Sequence, residues 1–133
     1  MEIFINKRFN GPPNSGNGGY VAGLIAKEIG KCCEVKLVAP PPLEKKLLLK
    51  KSNENYELYD GETLVCIANT TTVDNDPCEF VSFSDALLGS KNGLSKFEPI
   101  HALPDCFVCG PNRKEGDGSV SYTHLTLPTI AEV

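Results

Sequence analysis

The sequence predicts an α+β domain in which antiparallel strands pack against one buried helix, and three observations predict it. Apolar residues recur at about 100° per position over 21–29, directly after a glycine-rich loop. Two strand-like runs flank Asp60-Gly61, the arrangement of a tight hairpin. Residues 2–9 and 32–39 add runs rich in β-branched residues, each ended by prolines.

In order, residues 2–9 read as a first strand that stops at Asn10-Gly11-Pro12-Pro13. The helix that follows gathers Val21, Leu24, Ile25 and Ile29 on one face, with Ala22 and Ala26 at its margin. Gly23 lies inside it, where glycine costs about 1 kcal/mol relative to alanine, so a close backbone approach is expected there. Glu28 falls on the arc of Val21 and Leu24; a carboxylate so placed either snorkels out near the helix end or takes part in chemistry. Gly30 and Lys31 close the helix.

Residues 32–39 form a strand with Val35 and Leu37 opposed to Glu34 and Lys36, ended by Pro40-Pro41-Pro42. Leu47-Leu48-Leu49 is a short strand between Lys45, Lys46, Lys50 and Lys51, which either guard a sheet edge or meet the phosphates of a nucleotide-bearing ligand. Residues 56–68 form the hairpin, with Asp60-Gly61 suited to a type I′ turn. Residues 69–77 are loop-like, 80–89 form a short helix capped by Ser84, and 91–118 are a long irregular stretch of the kind that carries function or links domains.

A chain of 133 residues, 41% apolar and 23% charged, is one domain's worth with enough apolar material for a core. The formal charge of −4 gives no electrostatic basis for nucleic-acid binding. No apolar run approaches the roughly 20 residues that span a bilayer, and the N-terminus lacks a signal-peptide pattern, so a cytoplasmic protein without membrane partners is expected. The six cysteines then read as thiols or metal ligands rather than a disulfide framework.

Two motifs carry chemistry. The loop 10–20, Asn-Gly-Pro-Pro-Asn-Ser-Gly-Asn-Gly-Gly-Tyr, opens the helix, and a helix start presents unpaired N–H groups and partial positive charge to an anion or a developing oxyanion. Cys106-Phe107-Val108-Cys109-Gly110 has the form of half a tetrahedral zinc site. The second half is not visible: Cys32 and Cys33 are adjacent, Cys66 lies in an apolar strand, and Cys78 and His101 are isolated. A zinc ligand pair at Cys106 and Cys109, a redox pair and a plain turn with buried thiols are the open readings, with no other cofactor expected.

Residues 9–23 and the segment from Cys106 to Arg113 with Gly116-Asp117-Gly118 together resemble bacterial hotdog-fold, thioesterase-like proteins, a likeness that spans residues 2–118. The resemblance implies a curved antiparallel sheet wrapped around one central helix over 2–90. It also implies a Cys-containing linker over 91–118 and further strands beyond it, so that the fold here is incomplete. Asn17-Gly18-Gly19 matches the position of a His-Gly-Gly helix start. Gly18 and Gly19 would then polarise the thioester carbonyl, with Asn17, Tyr20 and Gly23 lining the substrate.

The carboxylate that the phenylacetate-type members place seven residues after the second glycine is replaced by Ala26. Glu28, the nearest acid and the remaining catalytic candidate, is rotated by about 200° from that position. The implied ligand is an acyl-CoA or acyl-carrier thioester, and the implied partner is a second copy or a second hotdog domain. The alternative is a non-catalytic thioester-binding or dimerisation module. Residues 119–133 resemble a translated sequencing adapter, so an N-terminal fragment with a non-native tail, inactive by itself, is expected.

Overall fold

A computed structural model describes residues 1–74, 82, 84–85, 88–89, 100–114 and 117–118. Of the expected helix over 80–89, residues 84–85 and 88–89 are helical and residues 80, 81, 83, 86 and 87 lie outside the described residues, as do Cys78 and the adapter-like tail. The chain divides into two compact units, one of Met1–Asn10 with Asn14–Asn75 and one of Gly11–Pro13 with Asp76–Val133.

The first unit contains β1 (Glu2–Phe4), a 3-10 turn (Lys7–Phe9), α1 (Gly18–Ile29), β2 (Cys33–Leu37), β3 (Lys46–Lys51), β4 (Tyr56–Asp60) and β5 (Thr63–Thr70). The strands form one antiparallel sheet in the order β1-β3-β4-β5-β2. The first strand is shorter than expected because the Asn6 side chain accepts the Arg8 N–H at 2.9 Å and caps a 3-10 turn instead.

The arrangement is α+β, but it is not the hotdog that the resemblance implies. In the first unit it is a five-stranded antiparallel sheet with one α-helix of 12 residues among the described residues, of which only Val21 and Ile25 are fully buried. A helix enclosed by a curved sheet would bury most of its circumference. Here Gly19, Gly23, Lys27 and Glu28 are exposed, and one apolar stripe meets the sheet.

That stripe joins Ile3, Ile5, Leu47, Leu49, Leu58, Val65, Cys66 and Ala68 in the core, with Leu24, Ile29, Val35 and Tyr56 packed around it. Strand alternation explains most of this set. Leu47 and Leu49 face inward while Lys46, Leu48 and Lys50 face outward. The exception is Val65 with Cys66, adjacent in sequence and both buried. A register shift between Leu58 and Tyr59 leaves Val65 as an extra residue on β5, and such a bulge resets the alternation. The Val65 carbonyl accepts the N–H groups of Val38 and Ala39 at 2.8 and 3.0 Å, which ties the bulge to the end of β2.

The β4–β5 hairpin forms where expected, with different turn chemistry. Asp60 pairs with Thr63, so the loop is Gly61-Glu62, and only Gly61 takes positive φ (+60°). Glycine at the first central position is the type II′ pattern rather than I′. The lysines around β3 do not guard an edge, because β3 lies between β1 and β4. Lys45 and Lys46 pair with Asp60 and Glu2, each at 3.0 Å, and Lys50 sits 4.8 Å from the Tyr59 ring centroid.

In the second unit, residues 100–114 form a series of tight turns. The Leu103 carbonyl accepts Cys106 N–H at 3.1 Å, the Cys106 carbonyl accepts Gly110 N–H at 2.9 Å, and the Pro104 carbonyl accepts Asn112 N–H at 3.0 Å. Arg113 adds a bond to the Asp105 carbonyl at 2.9 Å and an ion pair with Asp117 at 3.1 Å.

Candidate functional site

The glycine-rich loop is closed at its base. Asn10 and Gly16 form a β-bridge, Asn17 N–H donates to the Phe9 carbonyl at 2.8 Å, and Gly16 N–H donates to Pro41 at 2.7 Å. A second bridge joins Ser15 to Pro42. The chain therefore reaches the helix from a fixed point, which fixes the direction of the first helical amides.

Asn17 is the N-cap. Its side-chain oxygen accepts Tyr20 N–H at 3.0 Å, and its carbonyl accepts Val21 N–H at 2.9 Å. Those bonds satisfy the third and fourth amides of the helix. The first two, on Gly18 and Gly19, meet no acceptor among the described residues. Gly18 is half-buried and Gly19 exposed, so both donors are accessible. Two adjacent amides at the positive end of a helix dipole suit one oxygen that carries or develops negative charge.

Tyr20 stacks on Phe9, with ring centroids 3.9 Å apart and planes 10° from parallel, and the Arg8 guanidinium lies 5.8 Å from the Phe9 centroid. This aromatic wall was not read from the sequence, although Phe9 and Tyr20 flank a loop whose closure must bring its ends together. Gly16 was missed too: a Cβ there would stand 3.0 Å from Val21 Cγ2 and 3.2 Å from Ile5 Cγ2.

The other candidates are placed less favourably. A Cβ on Gly23 would meet nothing within 4 Å, so the expected close approach is not at that residue. Gly19, Gly23 and Lys27 instead follow at four-residue intervals along the exposed face of α1. Glu28 is exposed in the last turn, about 15 Å along the axis from Gly18, and does not join the helix start. Ala26 is half-buried.

In the second unit, the Cys109 thiol hydrogen-bonds the Cys106 side chain. Cys106 is buried and Cys109 half-buried. Among the described residues no group of three or more His, Cys, Asp or Glu side chains could hold a metal ion. Among the same residues no helix is long and apolar enough to cross a membrane.

These features define an α+β sheet unit whose helix start leaves the Gly18 and Gly19 amides without an acceptor among the described residues, and a cysteine-bearing turn unit. No family model, curated protein or solved structure matches the chain.

Proposed function

We propose that this chain is a cytoplasmic acyl-thioester-binding protein, with the thioester carbonyl oxygen held by the Gly18 and Gly19 amides. The observation that carries the reading is the pair of accessible donors left at the helix start after Asn17 has engaged Tyr20 and Val21. The Phe9–Tyr20 stack offers an apolar wall beside them, and the exposed Gly19–Gly23–Lys27 stripe offers a low path for the thioester arm. A CoA thioester or a carrier-protein thioester presents the same carbonyl.

Binding is favoured over hydrolysis by the position of the acids. Water attack needs a base within hydrogen-bond reach as well as oxyanion stabilisation, and Glu28 stands at the opposite end of the helix. The test is Gly18→Pro. Proline is favoured at the first helical position, and Asn17 already has the extended ψ of 128° that a residue before proline requires. Among the described residues, a Cβ at Gly18 would press on Leu37 Cδ1 alone, 3.1 Å away and the end of a flexible side chain. The variant therefore loses one donor while keeping the helix. Titration with a non-hydrolysable acyl-CoA thioether ketone should show affinity reduced about tenfold, the order of one lost hydrogen bond to a charged or polarised oxygen. Unchanged affinity in a folded Gly18→Pro protein overturns the assignment.

A further inference from the structure

The dithiol turn of the second unit is built in a specific way. The Cβ position of Gly110 is 2.4 Å from the Pro104 carbonyl oxygen and 2.5 Å from the Cys106 nitrogen, so only glycine lets the backbone fold back on Cys106. The Cys106 carbonyl to Gly110 N–H bond closes the turn, and Arg113 fastens it to Asp105 and Asp117. Residues three apart across such a turn have Cα atoms within about 7 Å, and a disulfide spans about 4.4–6.8 Å.

We propose that Cys106 and Cys109 form a reversible disulfide, making this turn a thiol–disulfide exchange site for small disulfides of the glutathione class. Zinc would need two further ligands, whereas disulfide chemistry is complete with the two sulfurs present. Their unequal exposure assigns the order of events. Cys109, half-exposed, loses its proton to solvent and attacks one sulfur of glutathione disulfide, forming a mixed disulfide and releasing one glutathione thiolate. Cys106, only 2% exposed, then loses its proton and attacks the Cys109 sulfur, forming the internal bond and releasing the second glutathione. In sum, the dithiol and glutathione disulfide give the protein disulfide and two glutathione thiols.

Burial, and secondly the hydrogen bond with Cys106, push the Cys109 thiol up to about 11. The attacking thiolate is then scarce at neutral pH, and the first step should accelerate about tenfold per pH unit from about pH 7 to 10.

The test oxidises the full chain with millimolar glutathione disulfide, blocks free thiols with iodoacetamide and maps the tryptic peptide 97–113 by mass. The expected product is that peptide unalkylated and about 2 Da below its dithiol mass, restored to two alkylations by dithiothreitol. Cys106→Ser should stop at one glutathione on Cys109, and Gly110→Ala should slow ring closure relative to the first step. The proposal is overturned by a peptide that stays doubly alkylated after oxidation at pH 10, by disulfides that map to Cys32 or Cys33 instead, or by stoichiometric zinc whose removal is required before either thiol reacts.

Discussion

Glycines occupy positions in this chain for different physical reasons, and substitution separates them. At Gly16 the reason is space: a methyl group would press on Val21 and Ile5, both fully buried, where neither can yield cheaply. Gly16→Ala should cost about 1–3 kcal/mol, read as a lower urea midpoint at unchanged slope. At Gly23 there is no such demand, because among the described residues nothing lies within 4 Å of the added carbon. Gly23→Ala should therefore stabilise the protein by about 0.5–1 kcal/mol in the same measurement, as expected when backbone freedom is removed from the unfolded chain at a helical site. The two glycines cannot be told apart by composition. Both follow small or polar residues, and only the packing around each decides the sign.

The helix is bounded at both ends by side-chain and backbone chemistry, of which the sequence shows the Gly30 end. Asn17 caps the start, and Gly30, at φ +73°, lets its own N–H and that of Lys31 reach the Ala26 carbonyl at 2.8 and 3.3 Å. Asn17→Ala should lower stability by about 1 kcal/mol and, by releasing the Tyr20 amide, loosen the start of α1, seen as faster hydrogen exchange there. Gly18→Pro should leave that exchange unchanged while weakening ligand binding, so the two variants separate the cap from the site. The β4–β5 hairpin shows how far a local signal reaches. Asp60-Gly61 marked the turn, but the pairing of Asp60 with Thr63 puts Gly61-Glu62 in the loop, and a bulge at Val65 shifts the register beyond it.

Across the sheet unit, stability depends on one apolar layer between α1 and a sheet whose other face carries paired lysines. Leu58, fully buried on the central strand β4, should cost about 2–5 kcal/mol when replaced by alanine. The same layer makes stability fall in alkali. Burial pushes the Cys66 thiol up to about 11 from its ordinary value near 9.0, so the folded state keeps a proton that the unfolded chain releases between those values. The contribution is complete below pH 9 and is lost as pH rises through about 11, an effect of about 1–3 kcal/mol. The urea midpoint should drop over that interval, and Cys66→Ala should remove part of the drop. The sequence by itself determined the elements with local causes: the helix after the glycine-rich loop, its close at Gly30 and the Asp60-Gly61 hairpin. Each depends on contacts a few residues apart. Strand order, the internal position of β3, the Phe9–Tyr20 stack, the place of Gly16 and the exposure of Glu28 were decided only by the tertiary structure. Those properties arise when residues distant in sequence compete for one buried layer, and periodicity along the chain carries no record of which of them meet.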